Sequence, residues 1–153
     1  MKGAYQSWQL FLQLQKVTKF KIALCQLRVT FDKCKVRKSI EDATQKGAML
    51  VVLPEMWNCP YSSDNFSSFA EDFNDGNASP SFVMLSEVAR SQGITIVGES
   101  VPEHCGGKLY NTSCVFGADG KLIAKHRKVH LFDINLPGEI SFKESDTITA
   151  GDK

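Results

Sequence analysis

The sequence lacks any hydrophobic run long enough to cross a bilayer, which takes roughly 18 apolar residues. The unbroken apolar run at 49–53 is closed at once by Pro54 and Glu55. A dominant charge is also missing, because 18 Lys and Arg stand against 17 Asp and Glu, for a formal net charge of +1. Such a balance creates no overall field that would attract nucleic acid or an acidic surface. We therefore expect neither a membrane nor a nucleic-acid partner.

Paired cysteines are missing too. The five cysteines are odd in number, are spread through the chain and never have C-x-x-C spacing, which is typical of free thiols in a reducing, cytoplasmic compartment. His104 and Cys105 could ligate a metal, but no second ligand pair accompanies them, so we expect no metal site. Cys59 lies in a loop and is predicted to be the most exposed thiol, whereas Cys25 and Cys114 lie in apolar strands and are predicted to be inert.

The first 19 residues contain three lysines and no acid. Their apolar stretch at 8–14 is interrupted by two glutamines, so it lacks the clean apolar core of a secretory signal. An organellar presequence would usually contain more arginine and serine. We interpret residues 1–19 as a disordered or weakly helical tail, with chloroplast or mitochondrial targeting left open.

The patterns that follow alternate between strand and helix. An apolar run at 20–27 and an unbroken one at 49–53 are typical of strands, the second being covered on both faces. Between them, Val36, Ile40 and Ala43 share one face of a helix predicted at 34–46. Strand, helix and strand indicate a βαβ unit, and hence an α/β sheet with its ligand site at the carboxyl ends of the strands.

The rest of the chain predicts shorter elements. Ser79 and Pro80 are a good N-cap and first-turn pair for a helix that ends at Gly93. A buried strand is predicted at 94–97, and strands at 109–116 and 121–129 are predicted to pair as hairpins. We interpret 58–79 as a long loop that could contain a short helix, and 130–153 as mostly irregular.

Two charged positions could carry chemistry. Glu55 would emerge at the end of the second strand, where a carboxylate suits a general base, and the alternative is a strand-end carboxylate that merely caps a loop. Lys128 lies in a stretch whose alternation turns Ala124, His126 and Lys128 to one face. Paired with a carboxylate, this lysine could stabilise an oxyanion. The alternatives are a solvated basic cluster at 125–130 and, less well supported, a nucleic-acid surface.

Several motifs, in order, resemble the nitrilase superfamily of carbon–nitrogen hydrolases. They are KIALCQL at 21–27, LPEMWNCPY at 53–61, GKLYNTSCVFGADG at 107–120, HRKVHLFD at 126–133 and ISFKES at 140–145. Within that superfamily these motifs are most similar to those of the omega-amidase branch. The resemblance makes residues 20–153 the N-terminal part of a carbon–nitrogen hydrolase domain.

The resemblance implies an αββα sandwich, incomplete in this chain, that dimerises and uses a Glu–Lys–Cys triad without a cofactor. Glu55 matches the family's general base, Lys128 the lysine that stabilises the tetrahedral intermediate, and Glu144 a second glutamate near that lysine. Tyr61 is a candidate for the wall of the pocket that holds a small amide substrate. The implied reaction converts 2-oxo acid amides, such as 2-oxoglutaramate or 2-oxosuccinamate, to 2-oxo acids and ammonia through a cysteine thioester.

The nucleophile is the point at which this sequence departs from the family. The family's cysteine lies well beyond the catalytic lysine in a glycine-rich context, and none of the five cysteines matches that context. The alternative function is therefore a truncated chain without turnover, which at most pairs with a full-length subunit.

Overall fold

The structure, a computed structural model, describes residues 19–29, 32–75 and 79–152. Apart from Lys19, the predicted N-terminal tail lies outside the described residues. The helices and strands follow one another as β1 (Lys21–Leu24), α1 (Lys33–Gln45), β2 (Ala48–Val52), α2 (Ser63–Phe69), α3 (Pro80–Gln92), β3 (Thr95–Cys105), β4 (Lys108–Phe116), β5 (Leu122–Arg127), β6 (Asp133–Leu136) and β7 (Ile140–Lys143).

Strands β1 to β5 form one mixed sheet in the spatial order β1-β2-β3-β4-β5. The strands β1, β2 and β3 run parallel, and β4 and β5 continue the sheet as antiparallel neighbours. The predicted βαβ unit is confirmed, because β1 and β2 are parallel neighbours connected through α1. The carboxyl ends of the parallel strands therefore meet at one edge of the sheet.

The two long helices begin and end within one residue of the predicted positions, but the side chain that caps the N-terminus of α3 is not the expected one. Gly93 ends α3 with φ of +65°, a left-handed conformation that suits glycine. Ser79 is the N-cap residue of α3, yet its side chain makes no cap hydrogen bond. The buried Glu71 carboxylate instead accepts from the backbone N–H groups of Ser81 and Phe82. A carboxylate from outside the helix thus neutralises its N-terminus.

The core lies between the sheet and the helices α1 and α3. The side chains that fill it alternate along the strands, which leaves the other side chains of the same strands on the opposite face. The buried core residues include Val36, Ile40, Val51, Leu85, Val88, Ile96, Val101, Cys114 and Phe116. The register pairs Ser100 with Ser113 and Ser113 with His126 on the opposite face of the sheet.

The segment 130–153, predicted to be mostly irregular, contains regular structure that the sequence analysis did not predict. Strands β6 and β7 form a hairpin there, followed by a short 3-10 turn at Glu144–Asp146. The predicted strand at 94–97 is also too short, since β3 continues through an irregularity of register between Val97 and Ser100. Short strands with few apolar residues and a bulge inside a strand carry no clear periodicity, so the pattern could not show them.

Candidate active site

Glu55 and Tyr61 approach the site from the loop that follows β2. Leu53 continues the sheet by donating to the carbonyl of Val97, which places Glu55 directly beyond the end of the strand. Its side chain remains 45% exposed. The Tyr61 hydroxyl donates to Glu55 Oε1 over 3.5 Å, and its ring packs edge-on against Phe66. The strand end thus positions a carboxylate beside a phenol.

Lys128 reaches the same point from the end of β5. Its backbone N–H donates to the carbonyl of Asn111, which extends the ladder between β4 and β5 by one step. The ammonium lies 2.9 Å from Glu55 Oε1 and 3.3 Å from the Tyr61 hydroxyl. Two predicted site residues that lie 73 positions apart in the sequence are therefore in direct contact.

Glu144 completes the group from the 3-10 turn after β7. Its carboxylate is fully buried and lies 2.9 Å from Lys128 Nζ. The backbone N–H of Phe132 donates to Glu144 Oε2 over 2.8 Å, and Asp133 accepts from both the N–H and the hydroxyl of Ser145. The hairpin that the sequence did not predict therefore fixes the position of this glutamate.

Asn111 is the residue of the site that sequence reasoning missed. Its Nδ2 atom donates to Glu55 Oε1 over 2.8 Å and to Glu144 Oε1 over 2.9 Å. The side chain is buried on β4, where an amide needs such partners. The LYNT motif contains Asn111 and provided the signal, but only the pairing of β4 with β3 and β5 shows that it faces both carboxylates.

The charges of the site stabilise one another. Burial opposes ionisation of Lys128, but its bonds to Glu144, Glu55 and Tyr61 outweigh burial and hold its pKa above the ordinary value. Burial likewise opposes the charge on Glu144, and the donors Asn111, Phe132 and Lys128 outweigh it, so the pKa of Glu144 is lowered. The site therefore holds the Lys128 ammonium and the Glu144 carboxylate in their charged forms at neutral pH.

Tyr61, unlike Lys128 and Glu144, is held in its uncharged form. Burial raises the pKa of its hydroxyl to about 12, and the carboxylates of Glu144 and Glu55 add to that effect against the opposing influence of Lys128. The phenol consequently stays protonated and can donate to Glu55 throughout the physiological range.

An open cavity of about 530 Å³ begins at this group of charges. Its volume is within the range of sites that hold small molecules. The residues around it are Glu55, Glu99, Ser100, Asn111, Ser113, His126, Lys128, Val129 and His130. The cavity lies on the face of the sheet opposite α1 and α3, so a ligand there would contact Glu55 and Lys128 together.

The interpretation of 125–130 as a solvated basic cluster is wrong. Lys125 and Arg127 turn to the helix side, where both pair with the buried Glu103 at 2.9 and 2.8 Å. Lys128 turns to the other side and pairs with Glu55 and Glu144. Alternation along β5 thus divides neighbouring cations between two separate sets of carboxylates.

The predicted exposure of Cys59 is also wrong. Its side chain is fully buried and burial raises the pKa of its thiol to about 12, so it is neither accessible nor ionised. Cys114 is buried as predicted, whereas Cys25 follows β1 and is half-buried. All five cysteines lie within the described residues, and none of them lines the cavity.

No group of three or more His, Cys, Asp or Glu side chains in 19–29, 32–75 and 79–152 is arranged to hold a metal ion. Across the same ranges, no helix has the length and apolar character required to span a membrane.

Comparison with curated proteins finds several omega-amidases among the relatives of this chain. Over 141 residues the chain is 58% identical to a chloroplastic omega-amidase of Arabidopsis thaliana, a match that covers 89% of this chain and 38% of the relative. It is 44% identical over 140 residues to an omega-amidase of Homo sapiens, covering 89% of this chain and 49% of the relative. The chain therefore spans half or less of the length of these relatives.

The comparison with solved structures points to the same superfamily as the sequence relatives. A Saccharomyces cerevisiae protein of branch 10 of the nitrilase superfamily superposes with a TM-score of 0.73 at 40% identity, covering 88% of this chain and 49% of the other. The mixed sheet with helices on one face is thus an incomplete nitrilase-type α/β fold, as the motifs predicted. The family model for carbon-nitrogen hydrolases matches residues 21–153. With this match and these relatives, the chain belongs to the carbon-nitrogen hydrolase family, in the omega-amidase branch of the nitrilase superfamily.

Proposed function

We propose that this chain supplies the general base and the oxyanion-stabilising cation of an omega-amidase that converts 2-oxo acid amides, such as 2-oxoglutaramate or 2-oxosuccinamate, to 2-oxo acids and ammonia. The observation that carries the proposal is the contact of Lys128 Nζ with both Glu55 and Glu144 beside a cavity of about 530 Å³. A cation fixed between carboxylates can stabilise charge that develops on a substrate oxygen.

In the proposed mechanism Glu55 accepts the proton of a cysteine thiol, and the sulfur attacks the amide carbon. Lys128 stabilises the negative charge on the carbonyl oxygen in the tetrahedral intermediate. The C–N bond breaks as Glu55 returns the proton to nitrogen, which releases ammonia and leaves a thioester. Water then hydrolyses the thioester to the acid and regenerates the thiol.

Glu144 and Asn111 act on the lysine and the base rather than on the substrate. Glu144 is fully buried and bonded to the backbone of Phe132, so it is a fixed anchor for the Lys128 ammonium. Asn111 joins Glu144 to Glu55 and keeps one Glu55 oxygen directed at the lysine. Tyr61, which was predicted to form a wall of the substrate pocket, does not line the cavity. Its hydroxyl donates to Glu55 Oε1, so its proposed role is to restrict the rotation of Glu55.

The thiol is proposed to come from outside residues 1–153. No cysteine of the chain lines the cavity, and the chain spans 38% of the Arabidopsis relative. The same two observations favour the second candidate function, a truncated chain that has no turnover by itself and pairs with a full-length subunit.

The test joins residues 1–153 to the C-terminal remainder of the Arabidopsis omega-amidase and measures ammonia release from 2-oxoglutaramate. We expect the joined protein to be active and the 153-residue chain to be inactive. Glu55→Gln and Lys128→Met should each reduce kcat/KM by about 10³-fold, because one removes the base and the other the oxyanion charge. Near-normal turnover in either variant contradicts the assignment.

Matched controls separate chemistry from general loss of charge. Glu41→Gln removes a carboxylate from α1, on the other side of the sheet, and Lys121→Gln removes a largely exposed lysine that precedes β5. Both should retain turnover within about twofold, since substitutions at such surfaces change little. Turnover by the 153-residue chain alone would show that one of its own cysteines is the nucleophile.

Assembly and location are further parts of the proposal. We expect the complete protein to be a homodimer, as the family resemblance implies, which light scattering on the joined protein would show. The relative named chloroplastic supports an organellar location, and a cytoplasmic one remains the alternative. Fusing residues 1–19 and, separately, residues 20–153 to a fluorescent protein in plant cells would show whether the tail directs import.

A further inference from the structure

A row of polar side chains crosses three strands on the face of the sheet opposite α1 and α3, and no step of the mechanism above uses it. The register pairs Ser100 on β3 with Ser113 on β4, and Ser113 with His126 on β5. All three residues line the cavity. Because cavities that hold small molecules orient them with a few placed polar groups, this row is the part of the wall that can orient a ligand. The next row along the same strands is apolar and consists of Val97, Val115 and Ala124.

The polar groups of this row are available to a ligand. Among the residues that the structure describes, none forms a hydrogen bond or an ion pair with the His126 imidazole or the Ser113 hydroxyl. Ser100 Oγ accepts from the backbone N–H of Met56 over 3.2 Å, so its own hydrogen remains free to donate. An imidazole donates from at least one ring nitrogen in either protonation state. The row therefore offers hydrogen-bond donors to an acceptor group of a bound molecule.

The spacing between His126 and Lys128 suits a short amide that also has a carboxylate. The two residues lie on the same face of the strand two positions apart, which separates them by about 7 Å. In 2-oxoglutaramate four C–C bonds of about 1.5 Å join the amide carbon to the carboxylate carbon, so the extended molecule spans about 5 Å between them. An amide whose carbonyl oxygen lies at Lys128 can therefore place its carboxylate beside the imidazole of His126.

The charges around the cavity favour an anion at this position. Glu99 precedes Ser100 on β3, two strands and about 10 Å from the backbone of His126. Burial raises the pKa of Glu99 and the Glu55 carboxylate raises it further, which favours its uncharged form and reduces its repulsion of an anion. Glu55 is itself paired with Lys128 at 2.9 Å. His130, the other titratable group of the lining, follows Lys128 in the chain.

We propose that His126, assisted by the Ser113 hydroxyl, binds the carboxylate of the substrate and is a specificity-determining residue that favours 2-oxo acid amides over uncharged amides. Hydrogen bonds to a carboxylate are stronger than those between neutral groups. A site built to bind such a group also discriminates against a molecule that lacks it. The inference rests on the proposed amidase function and deepens it, because it names the residue that recognises the anionic end of the substrate.

The test measures kcat/KM for 2-oxoglutaramate and for pentanamide, an uncharged amide of the same chain length, in the chain joined to the Arabidopsis remainder. The readout is the preference for the anion, which is the ratio of the first value to the second. His126→Leu removes the donor, His126→Gln retains an N–H donor, and Ser113→Ala removes the assisting hydroxyl. The matched control is His104→Leu, because His104 is exposed on β3 and is not among the residues that line the cavity.

We expect the preference for the anion to fall about tenfold in His126→Leu, the effect of losing a hydrogen bond to a charged group, and about threefold in Ser113→Ala. His126→Gln should lie between the wild type and His126→Leu, and His104→Leu should keep the wild-type preference. The loss should appear as a higher KM for 2-oxoglutaramate with kcat nearly unchanged, because the carboxylate is bound equally in the ground and transition states.

An unchanged preference in His126→Leu, or an equal loss for both amides, overturns the inference and leaves the amidase proposal intact. Where the wild type does not hydrolyse pentanamide, the KM for 2-oxoglutaramate decides, and an unchanged KM in His126→Leu overturns the inference. Should circular dichroism show that His126→Leu does not fold, Ser113→Ala and His126→Gln decide in the same way. If the joined wild-type protein releases no ammonia from 2-oxoglutaramate, the amidase proposal fails, and the inference that rests on it fails too.

Discussion

The Lys128 ammonium lies 2.9 Å from the Glu144 carboxylate, whose side chain is fully buried. Because a buried carboxylate needs a cation or strong donors, this contact stabilises the fold as well as the site. Replacement of Lys128 by methionine should therefore lower the free energy of unfolding by about 3 kcal/mol, since it leaves Glu144 without its cation. Urea denaturation followed by circular dichroism measures the change.

The control for this prediction is Lys121→Met. Lys121 pairs with Asp119, but its side chain is 81% exposed, and ion pairs of that kind contribute little. Its free energy of unfolding should remain near that of the wild type. Equal losses in the two variants would contradict a stabilising role for the contact with Glu144.

Acid should weaken the fold through Glu103. Burial opposes its charge, but bonds from Arg127, Lys125 and Thr112 outweigh burial and lower its pKa from 4.5 to about 2. A carboxyl group with a depressed folded-state pKa stabilises the fold above its unfolded value and loses that contribution as pH falls through the folded value. About 3 kcal/mol of the free energy of unfolding should therefore be lost between pH 4.5 and about 2.

The measurement is the free energy of unfolding against pH for the wild type and Glu103→Gln. The variant should be less stable at pH 7 and should lose less stability across the acid range, because it lacks the titrating group. Parallel curves for the two proteins would show that Glu103 does not carry this pH dependence.

Tyr61 should resist ionisation. Burial and the nearby carboxylates raise its pKa to about 12, against an ordinary value of 10. At pH 11 the wild type and Tyr61→Phe should therefore show nearly the same tyrosinate absorbance. One additional tyrosinate in the wild type at that pH would mean that the phenol is not held in its protonated form.

Alkylation of the native chain should separate its cysteines by exposure. Cys34 is exposed at the start of α1, whereas Cys59 and Cys114 are buried and burial raises the pKa of each thiol to about 12. Mass spectrometry after brief treatment with iodoacetamide should find Cys34 labelled and the two buried thiols intact. In urea, all should react. Early labelling of Cys59 in the native chain would contradict its burial.

The backbone at Glu99 predicts a difference between two small substitutions. Glycine is compatible with its φ of +38°, whereas alanine retains the β-carbon that strains this region. Glu99→Gly should therefore be more stable than Glu99→Ala by about 1 kcal/mol. Denaturation of the two variants measures this difference in the free energy of unfolding. Equal stabilities would show that glycine releases no strain.

Local patterns determined much of the fold and part of the site. The apolar run of β2, the spaced face of α1 and the capping signals of α3 depend on side chains a few residues apart, so they can be read along the chain. Motif order determined the family and pointed to Glu55 and Lys128. These features are encoded locally because hydrophobic periodicity and turn chemistry act over short distances.

Tertiary structure decided which groups meet. Asn111 joins two carboxylates only because β4 pairs with β3 and β5, and Glu144 reaches Lys128 only because the β6–β7 hairpin forms. The burial of Cys59 and the strain at Glu99 likewise depend on packing between segments distant in sequence. Sequence determined the elements and the chemistry available to them, whereas long-range strand pairing and desolvation decided the contacts and charge states of the site.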